Sequence, residues 1–345
     1  MKPSLKVLAP GFHTTVQDLG RIGYQDIGVP VSGALDGVSL RLANALVGNP
    51  PAMPGLEILL SGPTLEVVAD AVRIALVGPG AGLKIGGENP HVVAGGQSVT
   101  LSRGEVSRVV ASQFVACCYL AVEGGIAVPL VLGSASTYVR AALGGFEGRA
   151  LQSGDMVPLA IASAPDRGEL RLSNPLDPAR DQPIRVIPGP QLEYFTQEAA
   201  AALLGAEFRI SQSADRMGMR LDGPPLHHRQ GWDIVSDAIA TGAIQVPGSG
   251  QPILLLADHQ TTGGYPKIAT VISADLPVVG RRRPGDALRF TAVTVEEAEE
   301  LCREQERDLL QSEAALLPVE DKATTVDLSS LYGDNLISGV VSGLE

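Results

Sequence analysis

The stretch Leu56–Val77, L-E-I-L-L-S-G-P-T-L-E-V-V-A-D-A-V-R-I-A-L-V, sets the fold class of this chain. It holds three short apolar runs, Leu56 to Leu60, Leu65 to Val68 and Val72 to Val77, the first two parted by Ser61-Gly62-Pro63. Short apolar runs bounded by turn formers read as strands. Outward from there the pattern repeats, with strands expected at Val106 to Val110 and Phe114 to Val122. Turn signals stand at Gly78-Pro79-Gly80, Arg103-Gly104-Glu105 and Ser153-Gly154-Asp155. The 345 residues include 40 Gly and 25 Pro but only 4% aromatics, a composition suited to many strands joined by tight turns. Without strict strand–helix alternation, antiparallel barrels are favoured over a parallel sheet. The expected class is therefore mainly β with a few helices, arranged as β-barrel architecture in two lobes.

Residues 1–165 form the expected N-terminal β-rich lobe. It includes one helix, Ser39 to Val47, stopped by Gly48-Asn49-Pro50-Pro51. The polar, proline-bearing segment 163–183 reads as a linker. Residues 184–293 form the C-terminal barrel lobe, opening with a strand at Ile184 to Ile187 and a helix from about Tyr194 to Leu204. Residues 294–345 read as a charged helix and tail; Thr294 and Glu297 make a capping box, the helix runs to about Leu316, and Leu331 to Val341 closes the chain. A faint echo links the lobes: Gly154-Asp155 and Gly285-Asp286 each lead into a strand. Two independent turns are the simpler explanation, two related barrel lobes the sharper one.

A formal charge of −12 argues against nucleic acid, since phosphate contacts need clustered Lys and Arg. The run Arg281-Arg282-Arg283 is short and reads as a solvated turn or an anion contact. Cys117 and Cys118 are adjacent in a strand-like run, where side chains alternate faces, so they should not pair with each other. No metal-ligand spacing occurs, and none of the apolar stretches reads as a membrane span. With no signal-peptide pattern in Met-Lys-Pro-Ser-Leu-Lys, a soluble, cytoplasmic protein is expected.

The densest collection of unlike functional groups is in Ala257–Asp275, A-D-H-Q-T-T-G-G-Y-P-K-I-A-T-V-I-S-A-D, which follows an apolar run at Ile253 to Leu256 and returns to the core at Ile268 to Ile272. A loop between buried strands is where reactive groups are held by a rigid scaffold. Asp258, His259 and Lys267 are the candidate catalytic residues, and Gln260 a candidate binding residue; the plain alternative is a polar hairpin with Gly-Gly at its bend. Gln245 alternates with Ile244 and Val246 and so faces away from them, as a ligand contact or a satisfied core amide. Arg21, three residues from Asp18, and Arg216, beside Asp215, offer guanidinium forks suited to a carboxylate; the competing readings are a loop stapled by its own hydrogen bonds for Arg21 and a surface ion pair for Arg216. There is no phosphate-binding Gly-x-x-x-x-Gly-Lys-Ser/Thr loop, no Gly-x-Gly-x-x-Gly after a strand, and no Gly-x-Ser-x-Gly elbow.

Taken in order, Thr15-Val16-Gln17-Asp18-Leu19-Gly20-Arg21, Gly28-Val29-Pro30-x-Ser32-Gly33-Ala34-x-Asp36, Ala43-Asn44-x-Leu46-Val47-Gly48-Asn49, Leu56-Glu57, Tyr119-Leu120-Ala121-Val122-x-Gly124-Gly125, Pro129-x-Val131-Leu132-Gly133-Ser134, Pro188-Gly189-Pro190-Gln191, Asp215-Arg216-Met217-Gly218, Ala257–Lys267 and Arg283-Pro284-Gly285-Asp286 resemble one family over residues 5 to about 293. It is the family of the C-type subunit of bacterial 5-oxoprolinase, also called allophanate hydrolase subunit 2 or the biotin-dependent carboxyltransferase family. Two departures stand out: Ala135 in place of a longer polar residue, and Arg281 in place of a common Gln. The resemblance implies a cyclophilin-like β-barrel and two partners, the B-type and A-type subunits of 5-oxoprolinase. With them, ATP (with Mg) drives opening of the 5-oxoproline lactam to glutamate. In that reading Asp258 or His259 moves a proton, Lys267 neutralises phosphoryl charge, Gln245 and Gln260 orient the amide, and Arg21 or Arg216 holds the substrate carboxylate. The family also implies two alternatives. One is half of a biotin-dependent carboxyltransferase in urea and allophanate metabolism, with biotin carried elsewhere. The other is a non-catalytic antagonist of a kinase inhibitor.

Overall fold

A computed structural model describes residues 2–86, 90–110, 112, 115–177 and 182–320. Phe114, residues 178–181 of the expected linker, and the expected closing segment Leu331 to Val341 lie outside the described residues.

The three runs that set the fold class are strands Gly55–Leu59, Thr64–Val67 and Ala71–Val77. They are shared between two sheets. The first, in spatial order, is His13–Gln17, Gly55–Leu59, Cys117–Val122, Ala71–Val77, Gln97–Ser102, Leu170–Arg171 and Leu317–Pro318. The second is Met156–Pro158, Ser4–Ala9, Thr64–Val67, Val106–Val110, Gly82–Gly86 and His91–Ala94. Period-two alternation explains the packing. Val72, Ile74 and Leu76 face a core completed by Leu5, Val7, Leu65 and Leu83 of the second sheet. Ala75 and Val77 face the other way, onto Leu40, Ala43 and Leu46 of helix Gly37–Leu46. Cys118 points to the first of these cores and Cys117 to the second, so the adjacent thiols are unpaired and on opposite faces. Burying Leu40 and Leu46 fully contributes about 1.5–3 kcal/mol each relative to exposure.

The second lobe is an eight-stranded sheet around its own core of Ile184, Phe208, Leu221, Ile244, Leu254, Ile268 and Phe290, with a separate two-stranded pair, Asp237–Ala238 and Thr262–Gly263. A single segment closes it into a nearly complete barrel. Ala287–Leu288 pairs antiparallel with Phe208–Ala214, while Phe290–Ala292, two residues on, pairs parallel with Ile184–Pro188. The chain is thus mainly β, as its composition indicated.

The Gly-Asp echo has matching construction in both lobes. Gly154 N donates to Val7 O and Asp155 O accepts from Val7 N; Gly285 and Asp286 do the same with Ile210. In each turn the Asp side chain also accepts from the backbone N–H three residues earlier, Gln152 or Arg283.

Helix Val295–Ala314 begins at the expected capping box, with both Thr294 and Glu297 bonds formed. It joins the lobes: Ala298 packs with Ile272 and Ala274 of the barrel, and Leu309 with the core beneath helix Gly37–Leu46. Arg41 of that helix bonds Glu306 and Glu313. Residues 169–171 of the segment read as a linker are tied down as well. Leu170–Arg171 adds to the edge of the first sheet, and Glu169 accepts from Arg73, Ser98 and Thr100. Among the described residues no helix is long and apolar enough to cross a membrane.

Candidate functional site

Where the lobes meet, strand Gly55–Leu59 presents a carboxylate in the middle of an apolar run. Glu57 is fully buried, and its neighbour across the sheet is Tyr119. Its Oε2 accepts from Tyr119 Oη at 2.6 Å and from Leu35 N at 3.0 Å. Its Oε1 accepts from Arg216 Nη1, which comes from the turn between strands Phe208–Ala214 and Gly218–Asp222 of the other lobe. Arg216 then forks onto Asp258, Nε to Oδ2 at 2.9 Å and Nη2 to Oδ1 at 3.1 Å, and also donates to Gly33 O. Burial alone would pull the Arg216 pKa down, but Glu57 and Asp258 outweigh it and hold the guanidinium charged. Burial, with Glu57 beside it, pushes the Tyr119 phenol well up, so it stays a donor.

Arg216 and Asp258 of this ion set line one end of a two-ended cleft. The apolar end, about 350 Å³, is walled by Phe12, Leu59, Val139 and Met217 and floored by His13, Arg216 and Asp258. The wider end, about 580 Å³, is lined by Gln245, Gln260, Tyr265 and Arg220. Arg140 and Asp215 line both ends, and Arg140 Nη2 lies 3.8 Å from Asp215 Oδ2, bridging the lobes at the junction.

The residues singled out from sequence fall into three groups. Asp258 and Arg216 are paired with each other, and Gln245 and Gln260 are brought together, Gln260 Nε2 to Gln245 Oε1 at 3.4 Å. His259 and Lys267 point elsewhere. His259 is fully buried; its Nδ1 donates to Gln260 O and its Nε2 accepts from Thr241 Oγ1 at 3.1 Å, so both ring nitrogens are occupied. Burial holds its pKa below the usual value. Lys267 Nζ is 2.9 Å from Asp237, a partner thirty positions away. Arg21 is 1% exposed and stands apart in character. Its Nη2 donates to Ser136 O, but its Nε and Nη1 have no acceptor. Gln17 Oε1 and Ser32 Oγ, in the same loop package, are likewise buried without partners. Asp258 is among the charges acting on Arg21, whose pKa is lowered chiefly by burial. Ser32 adopts φ of 54°, a strained setting for a residue with a Cβ, while its N–H bonds Ala257 O next to Asp258.

Four residues of the site were missed. Glu57 left a trace, a charge inside an apolar strand. Tyr119 and His13 acquire meaning only once the strands pair, and Arg140 carries no signal in its surroundings. Of the two departures, Ala135 N donates to Asp18 at 2.6 Å, and Arg281 forks onto Asp36, the N-cap of helix Gly37–Leu46, adding a second buried ion pair between the lobes. Among the described residues no group of three or more His, Cys, Asp or Glu could hold a metal ion.

Known proteins share this architecture. The chain is 36% identical to the C-type subunit of 5-oxoprolinase from Escherichia coli over 88% of its own length and 96% of that protein. It is 38% identical to the corresponding 5-oxoprolinase subunit of Haemophilus influenzae, over 85% and 93% respectively. Its fold matches the urea carboxylase of Kluyveromyces lactis with a TM-score of 0.81 and 31% identity, covering 93% of this chain but only 30% of that one. The family profile for the carboxyltransferase domain, subdomain A and B, matches residues 27–292, and the chain belongs to that family.

Proposed function

We propose that this chain is the C-type subunit of an ATP-dependent 5-oxoprolinase, acting with B-type and A-type subunits on the lactam of 5-oxoproline to give glutamate. The observations that support this reading are an anchored acceptor at the cleft and an unmet buried donor that feels its charge. Asp258 is fixed by Arg216 at the cleft floor, and Arg21 holds two buried N–H-bearing nitrogens without acceptors. A lactam presents a carbonyl acceptor beside an N–H donor, so it complements such a set. Buried donors left unpaired cost free energy that a bound acceptor recovers. The names of the bacterial relatives point to the same substrate.

In this reading the roles are redistributed. Arg216 is committed to Glu57, Asp258 and Gly33, so the substrate's charged or carbonyl oxygen falls to Arg21. Gln245 and Gln260 supply amide edges at the wide end of the cleft. His259, with both nitrogens bonded, fixes the loop that carries Asp258. Lys267 is neutralised by Asp237 and is poorly placed to meet phosphoryl charge. In this reading nucleotide handling is assigned to the partner subunits. Breaking amide resonance is slow, which is why coupling to ATP suits this reaction.

The test is reconstitution. Co-expressed with its B-type and A-type counterparts, the chain should support ATP-dependent turnover of 5-oxoproline and not of urea. Asp258→Ala and Arg21→Met should each lower that turnover by about a hundredfold or more, the scale of losing one preorganised polar contact. Undiminished rates in both would remove Asp258 and Arg21 from the reaction. A second reading, carboxyl transfer from a separately carried biotin to urea, is favoured by the likeness to the yeast urea carboxylase. Avidin-sensitive activity on urea would select it.

A further inference from the structure

The apolar end of the cleft contains one polar group that nothing so far employs. His13 opens strand His13–Gln17 opposite Leu59, and its imidazole lines the recess of about 350 Å³ beneath Phe12. Among the charged and imidazole groups lining that recess, Arg216 is bonded to Asp258 and Arg140 lies against Asp215. His13 Nδ1 is buried and has no partner. The charges acting on it are Glu57, Arg216 and Asp258, the buried ion set, and burial holds the ring neutral. A neutral imidazole offers one donor and one acceptor. The walls around it, Phe12, Leu59, Val139 and Met217, offer only apolar surface.

A ligand that fits must therefore have a compact apolar body and a polar edge. Urea is polar on every edge and would press N–H groups onto those walls unpaired, which is costly. A five-membered lactam has methylene carbons for the walls and an amide edge for the imidazole and the floor, and the carboxylate that 5-oxoproline carries beside its N–H lies with that edge, away from the walls. We infer that the recess under Phe12 is the subsite that selects ring-bearing lactams over acyclic amides, with His13 making the selecting hydrogen bond. This rests on the reading above and names the structural origin of its substrate choice.

The experiment uses the full chain, alone and in the reconstituted complex. In the chain alone, the imidazole resonances of His13 are followed by NMR while pyrrolidinone, 5-oxoproline or urea is added. The two lactams are expected to shift them saturably and urea to leave them in place. In the complex, His13→Phe should raise KM for 5-oxoproline about tenfold, the scale of one hydrogen bond to an unmet buried partner, with kcat little changed. His13→Gln, which keeps a donor and an acceptor, should recover most of that loss. Equal responses to urea and the lactams, or unchanged KM in His13→Phe, would overturn the subsite. Turnover of 5-oxoproline without any shift at His13 removes the subsite and leaves the function. Saturable lactam shifts without turnover keep the subsite and remove the function.

Discussion

Arg216 is held between Glu57 and Asp258, with all three side chains almost wholly buried. Such a set is stable only when complete, because removing one member strands the charges that remain. Arg216→Met is expected to destabilise the protein by about 3–5 kcal/mol, read from the midpoint of urea unfolding. His259 gives a pH signature. Its folded-state pKa lies below the ordinary value of 6.5, so the unfolded chain binds the proton more readily. The stability it contributes is complete above about pH 6.5 and declines as the pH falls below that value. His13, shifted in the same direction, adds to the slope. The free energy of unfolding should therefore drop between about pH 7 and about pH 5, and more shallowly in His259→Gln. At this scale the sequence was partly legible. Residue type and crowding drew attention to Asp258, Arg216 and Gln245, which do line the cleft. Partnership was not legible, since Lys267 meets Asp237 and Arg216 meets Glu57 only through the fold.

Elements were easier to read where local chemistry sets them. The box at Thr294 and Glu297 is local hydrogen bonding, and it marks the start of helix Val295–Ala314 in sequence and structure alike. Thr294→Ala should cost about 1 kcal/mol, with the loss seen in thermal unfolding and in helical circular dichroism. Strands Ala71–Val77 and Ile184–Pro188 were plain because their apolar runs are long enough to show a pattern. Leu170–Arg171 and Leu317–Pro318 are two residues each, too short for any periodicity; the first is a strand only because the edge at Gln97–Ser102 accepts it, and the second only because the first does. Strand pairing lay beyond the sequence throughout. Nothing local shows that Ala71–Val77 sits between Cys117–Val122 and Gln97–Ser102.

For the molecule as a whole, the lobes are joined by two buried ion sets, Glu57–Arg216–Asp258 and Asp36–Arg281, and by helix Val295–Ala314 lying across both. The lobes are therefore expected to unfold together. Calorimetry should give one transition whose calorimetric and van't Hoff enthalpies agree. Combining Glu57→Leu with Arg281→Leu should split it in two or broaden it, and a single sharp transition in that variant would place the coupling elsewhere. The two-lobe organisation and the likeness of the Gly-Asp turns could be suspected from the sequence; the ion sets between lobes could not, because their members lie far apart along the chain.

The seam at Ala287–Ala292 also fixes an order of events during synthesis. Ile184–Pro188 and Phe208–Ala214 leave the ribosome long before the segment that stitches them. Until it arrives, both carry open rows of N–H and C=O groups, the condition under which nascent chains pair wrongly. Late, long-range closure is slow, so translation that stalls before Ala287 should leave a sticky, chaperone-dependent intermediate.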